Sequence, residues 1–124
     1  MPVIRASEAV VHEMHGARFT AYATPSSGSK ELCAWQLEVS GGSRGVAHTV
    51  TREEVFFLMK GAVSITIDGQ VSRLAPGDAA VIPAGSTLGV DNDAEETASV
   101  WVATSVGLEA VLADGTRITP PWTS

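Results

Sequence analysis

Two segments decide the fold of this chain: residues 42–61, GSRGVAHTVTREEVFFLMKG, and residues 77–92, GDAAVIPAGSTLGVDN. Each begins with a glycine, and glycine or proline returns at the ends of short apolar runs. Such punctuation is typical of short strands joined by turns. Between the two segments, residues 62–67 and 70–74 flank Asp68-Gly69, a pair that suits a two-residue hairpin turn. The sequence therefore predicts a series of short antiparallel strands here.

The rest of the chain repeats this pattern of strands and turns. In residues 32–39 apolar side chains alternate with other residues, which is the two-residue period of a strand. A second Asp-Gly pair, Asp114-Gly115, indicates another hairpin. Residues 53–59 are interpreted as a strand buried on both faces. Further strands are predicted at residues 79–82 and 98–106. The predicted fold class is all-β, an antiparallel jelly-roll β-barrel forming a single domain over residues 1–124.

Composition restricts the partners of the chain. The net charge is −6 and the 8 Lys and Arg residues are scattered, so we expect no nucleic acid and no membrane partner. No secretory signal or membrane-spanning stretch is present, which predicts a cytoplasmic protein. Apolar residues make up 44% of the chain, which is high for a small domain. We therefore expect a homodimer, in which a second copy covers apolar surface.

The cysteine, two of the histidines and an acidic cluster are interpreted as structural or solvated residues. Cys33 is the single cysteine and lies between apolar neighbours, which predicts a buried, unreactive thiol. His12 and His15 are three residues apart in a predicted strand, so at most one of them faces inward. An acidic cluster is predicted to be a solvated turn. It comprises Asp91, Asp93, Glu95 and Glu96. The tail at residues 118–122 contains prolines that exclude a central strand, and it covers either a barrel end or a neighbour.

The two segments resemble the paired motifs of the cupin family. The first family motif, G-x5-H-x-H-x3-E-x6-G, is matched by Gly42, His48, Glu54 and Gly61. The second, G-x5-P-x-G-x2-H-x3-N, is matched by Gly77, Pro83, Gly85 and Asn92. Two positions differ, because Val50 and Leu88 stand where the family has histidines. The chain is thus identified as a small single-domain bacterial cupin with a degenerate metal site, and the resemblance implies a barrel of the double-stranded β-helix type.

The resemblance also implies where the functional site lies. In the cupin family three histidines and one glutamate bind a divalent metal inside the barrel. His48 and Glu54 are the two ligands that remain, and Val50 and Leu88 exclude the usual four-ligand site. A reduced site could still hold iron, zinc, nickel or manganese through His48 and Glu54. Without a metal, the same two residues are candidate catalysts of acid–base chemistry, or they are remnants of an ancestral site.

An apolar ligand pocket is expected around these two residues. Its predicted lining is Val50, Phe56, Leu58, Leu88, Trp35 and Trp101. The predicted partner is a small, largely apolar organic molecule, bound or converted by isomerisation, dehydration or cyclisation. The alternatives are a non-catalytic binding protein and a metal-dependent oxygenase or isomerase with a reduced ligand set. Whether the chain is an enzyme stays open at this point.

Overall fold

A computed structural model describes residues 2–124 of the chain. These residues form thirteen strands and three short 3-10 turns, and the described part contains no α-helix. The strands are β1 (Val10–Met14), β2 (Ala17–Ala23), β3 (Leu32–Val39), β4 (Ser43–Arg44), β5 (His48–Val50), β6 (Glu54–Lys60), β7 (Val63–Ile67), β8 (Gln70–Leu74), β9 (Ala79–Ile82), β10 (Thr87–Asn92), β11 (Ala98–Ser105), β12 (Ala110–Val111) and β13 (Arg117–Ile118). The 3-10 turns lie at Ala6–Glu8, Pro25–Ser27 and Pro121–Thr123.

The strands assemble into two antiparallel sheets. One sheet has six strands in the order β1-β2-β3-β11-β6-β9. The other has seven, in the order β13-β12-β5-β10-β7-β8, with β4 added to β10. Chain neighbours are often in different sheets, as β5 and β6 are, so the chain crosses repeatedly between the two layers. This arrangement confirms the prediction of an all-β jelly-roll barrel.

Both predicted Asp-Gly hairpins are present. Asp68 and Gly69 have φ angles of 49° and 82°, the left-handed region that this tight turn requires at both positions. The turn joins β7 to β8, which pair from Val63 and Leu74 to the turn itself. The hairpin around Gly115 is shorter, because β12 and β13 contain two residues each.

The core lies between the inner faces of the two sheets. Strand β3 alternates as predicted, and its inward residues from Cys33 to Val39 are all buried. Strand β6 differs from its prediction, because only one of its faces is buried. Val55 and Phe57 on its outer face are 37% and 43% exposed, while Leu58 is fully buried. Within residues 2–124 no other strand covers this outer face, so the single chain buries one face of β6 where the sequence predicted two.

The terminal asparagine of the second motif has a structural role. Asn92 is fully buried, and its side-chain nitrogen donates to the carbonyl oxygens of Val39 at 3.0 Å and Glu96 at 2.8 Å. Its side-chain oxygen accepts from the amide nitrogen of Ala94 at 3.0 Å. Asn92 therefore fixes the loop between β10 and β11 against the end of β3, and its side chain is fully engaged there.

The C-terminal tail packs on the chain's own first three strands. Trp122 stacks on Phe19 of β2, with ring centroids 3.6 Å apart and planes inclined by 8°. The Cys33 thiol donates to the carbonyl oxygen of Thr123 at 3.6 Å. The amide of Ser26 donates to the carbonyl oxygen of Ser124 at 3.1 Å. Of the two alternatives for the tail, the structure shows it covering the barrel.

Candidate functional site

Glu54 is the buried acid of the barrel. It begins β6 on the inner face, between Thr104 of β11 and Ile82 of β9, and it is only 3% exposed. The nearby Thr104 hydroxyl donates to the backbone carbonyl of Glu53 at 2.7 Å, so it is not directed at the carboxyl group. Burial raises the pKa of Glu54 from 4.5 to about 7. This carboxyl group can therefore both hold and release a proton near neutral pH.

His48 lies on the inner face of the opposite sheet, in a more open position. It pairs with Leu88 of β10, and Val50 shares its face two residues further along β5. Strand β12 pairs with β5 only at Thr49 and Val50, so the edge beside His48 is uncovered and the side chain is partly exposed. The Nδ1–H of His48 donates to the carbonyl oxygen of Val46 at 2.9 Å. This bond occupies Nδ1, so Nε2 is the ring nitrogen that remains available to a ligand.

His48 and Glu54 lie at separate positions in the barrel. The ion pairs of residues 2–124 join Arg73 to Asp93 and Arg117 to Glu109, and neither includes the two candidate catalysts. Burial is also the cause of the raised pKa of Glu54, with no contribution from a histidine. The two residues therefore face a common interior without bonding to one another.

The donor set of the barrel does not fit a conventional metal centre. Val50 and Leu88 are each 1% exposed, so apolar side chains fill the two vacated ligand positions. Within residues 2–124, no group of three or more His, Cys, Asp or Glu side chains is placed to hold a metal ion. His12 and His15 do not replace the missing ligands: His12 lies opposite Phe19 on β1, at the edge of the six-stranded sheet, and His15 lies in the turn that follows. A catalytic metal usually needs three protein ligands.

Most of the predicted pocket lining belongs to one buried cluster. This cluster includes Trp35, Val50, Phe56, Leu58 and Leu88. Trp101 differs from this expectation, because it points to the outer face of the six-stranded sheet. It lies there beside Phe57, and its ring is tilted against Tyr22 at a centroid distance of 5.3 Å. Five of the six predicted lining residues thus face the interior, and Trp101 does not.

Sequence reasoning missed the most unusual polar atom of the interior. Within residues 2–124, Nε1 of Trp35 is the one fully buried side-chain polar atom without a hydrogen-bond partner. Leaving such a donor unpaired costs about 1–3 kcal/mol, and nearly all buried polar atoms avoid it. No sequence signal distinguishes this indole from an ordinary core tryptophan.

Two surface grooves lie away from Glu54. One, of about 480 Å³, surrounds the turn between β1 and β2 and includes His15 and Arg18. The other, of about 490 Å³, lies between the N-terminal segment, β1 and the C-terminal turn, and includes His12 and Tyr22. Neither groove contains any of the predicted site residues.

Two facing antiparallel sheets, with a buried acid on one and a histidine on the other, define a barrel of the double-stranded β-helix class. The model of the cupin domain family matches residues 35–105, which is more than half of the chain. The chain therefore belongs to the cupin family. None of the helical segments in residues 2–124 is long and apolar enough to cross a membrane.

Solved structures share the fold at low sequence identity. An RmlC-like cupin from Shewanella frigidimarina has a TM-score of 0.71 and 17% identity, over 82% of this chain and 86% of that one. The polyketide cyclase RemF from Streptomyces resistomycificus has a TM-score of 0.75 and 16% identity, over 85% and 79%. A salicylate 1,2-dioxygenase from Pseudaminobacter salicylatoxidans has 0.64 and 20%, over 72% of this chain and 26% of that one. A search of curated protein sequences finds no match.

Proposed function

We propose that this cupin binds a small, largely apolar organic molecule inside the barrel and exchanges protons with it through Glu54, without a metal. The observation that carries the proposal is the Glu54 carboxyl group, which is only 3% exposed, belongs to neither ion pair of residues 2–124 and has a pKa of about 7. Such a group costs free energy to keep in an apolar interior. Enzymes keep carboxyl groups in this state when they serve as general acids or bases.

The chemistry follows from the two protonation states of Glu54. The carboxylate takes a proton from a carbon next to a carbonyl group, and the resulting carboxylic acid returns a proton to another atom of the same molecule. Isomerisation, dehydration and cyclisation all proceed by such a pair of transfers. Cyclisation is also the activity named for RemF, whose fold this chain shares. His48, with its free Nε2 at the open edge of β5, is the candidate for the second transfer.

Two alternative functions predict different experimental results. A non-catalytic binding protein would hold its ligand unchanged and would keep its affinity after both His48→Ala and Glu54→Ala. A metal-dependent oxygenase or isomerase would contain stoichiometric iron, zinc, nickel or manganese. The donor set argues against that second alternative, because His48 and Glu54 are short of the three ligands that a catalytic metal usually has.

Glu54→Gln is expected to slow proton exchange with a carbonyl probe. The assay follows deuterium uptake from D2O at the carbon next to the carbonyl group in a panel of bicyclic aromatic ketones, beginning with 1-tetralone. The wild-type rate should rise through pH 7 as the carboxylate forms, and Glu54→Gln should lower it about 10²- to 10⁴-fold. Glu53→Gln is the matched control, since Glu53 is adjacent but exposed. Equal rates in the wild type and Glu54→Gln would contradict the assigned role.

We also propose that the chain is a homodimer through the outer face of the six-stranded sheet. Val55, Phe57 and Val81 lie together there and are 37%, 43% and 57% exposed. Phe57→Glu should convert a two-chain mass into a one-chain mass in analytical ultracentrifugation, because a buried unpaired charge disfavours the contact. Val71→Glu, at a 65% exposed position on the other sheet, should leave the mass unchanged. A wild-type protein that sediments as a monomer at micromolar concentrations would refute the proposal.

A further inference from the structure

The indole of Trp35 has a hydrogen-bond donor that the protein itself does not use. Trp35 is 2% exposed, and its Nε1 has no partner within residues 2–124. The other two tryptophans are placed differently: Trp101 lies on the outer face, and Trp122 stacks on Phe19. An unpaired donor inside a barrel indicates a missing acceptor, because buried polar groups are almost always satisfied by protein, water or ligand.

Trp35 and Glu54 lie on the same inner face of the six-stranded sheet. Trp35 lies on the inner face of β3, in one row across the sheet with Ala21, Val102, Phe56 and Ala80. Glu54 lies on the same inner face, two residues before Phe56 and hence in the next row. One unpaired donor and one buried acid therefore occupy neighbouring rows of a single, largely apolar surface.

We propose that Nε1–H of Trp35 donates a hydrogen bond to a carbonyl or other acceptor oxygen of the ligand. The ligand class is an apolar, ring-containing molecule with an acceptor oxygen on its edge. The apolar walls bind its body, and Trp35 fixes which edge faces the acid. The inference rests on the proposed function in one respect only, namely that the ligand lies inside the barrel. It does not require that Glu54 transfer a proton.

The test uses two probes of matched shape, 1-tetralone and tetralin, which differ in the acceptor oxygen. The chain has 3 tryptophans, so 15N–1H spectra contain few indole signals, and the Trp35 signal is identified by its loss in Trp35→Phe. Saturating 1-tetralone should move the Trp35 signal downfield and tetralin should not. Trp35→Phe should weaken 1-tetralone binding about fivefold to tenfold and tetralin binding hardly at all. Trp101→Phe is the matched control and should change neither affinity.

Three results would overturn the inference. They are a Trp35 signal that 1-tetralone does not move, an equal loss of affinity for both probes in Trp35→Phe, and the absence of saturable 1-tetralone binding to the wild type. The spectra of the wild type are informative even if Trp35→Phe folds poorly. If only the proposed function fails, the results differ from these three. The indole signal of Trp35 would then move with 1-tetralone, while Glu54→Gln would leave deuterium exchange unchanged.

Discussion

The stability of Glu54→Gln, measured relative to the wild type, is expected to rise by about 3 kcal/mol between pH 4.5 and pH 8. The folded protein binds the Glu54 proton more tightly than the unfolded chain does, because burial raises the pKa from 4.5 to about 7. The stabilising contribution of that proton is therefore complete below about pH 4.5 and is lost as the pH rises through about 7. Glutamine does not titrate, so the variant escapes this loss.

Urea unfolding of both proteins at a series of pH values measures this difference directly. Comparing the two proteins at each pH removes the contribution of the other acidic residues, which both share. Glu53→Gln provides the control, because the exposed carboxylate at this position should give a curve parallel to that of the wild type. A free-energy difference between Glu54→Gln and the wild type that stays constant with pH would show that the carboxyl group is not held in an apolar site.

Replacing Val50 and Leu88 together with histidine is expected to create a metal site. Leu88 lies directly across from His48, Val50 lies two residues along from it, and both are 1% exposed on the inner face. The Nδ1–H of His48 already donates to a backbone carbonyl, which is the usual second contact of a metal-binding histidine. The double variant should bind one divalent ion per chain with a Kd of about 1 µM or tighter.

Elemental analysis of protein purified without chelator, followed by a zinc titration, measures this gain. The wild type should contain no stoichiometric metal and should show no saturable binding in the micromolar range. Leu32→His combined with Val71→His adds the same two side chains at positions that are 62% and 65% exposed, and it controls for adventitious binding. A wild type that retains stoichiometric iron, zinc, nickel or manganese would contradict the metal-free account, as would a folded double variant that binds no metal.

Local sequence patterns predicted the fold well. The turn at Asp68-Gly69 is determined by two adjacent residues whose φ angles are positive, and such local chemistry is visible in a sequence. The alternation in β3 likewise reports a single buried face. Strand β6 was harder to interpret, because Val55 and Phe57 are as apolar as the core residues between them. Exposure of that face depends on what packs against the sheet, which no local pattern contains.

The candidate site was predictable in part. The resemblance to the cupin motifs placed Glu54, Val50 and Leu88 in the interior, where all three are buried, while the two-residue period of a strand by itself relates only Val50 to His48. The direction of Trp101 was not predictable, since it depends on where the alternation of β11 begins relative to the core. The partial exposure of His48 arises from the two-residue length of β12, and the unpaired donor of Trp35 arises from packing across several strands. The exposure of His48 and the unpaired donor of Trp35 both depend on contacts between strands that are distant in the sequence.

The pKa of the Glu54 carboxyl group is measured most directly by a 13C NMR titration of the glutamate side-chain carboxyl carbons. The Glu54 signal is assigned by its disappearance in Glu54→Gln, and the Glu53 signal serves as an exposed reference in the same spectra. We predict that the chemical shift of Glu54 titrates with a pKa of about 7. A titration near the ordinary value of 4.5 would contradict the account, because it would show a carboxyl group that is solvated or paired in the folded protein.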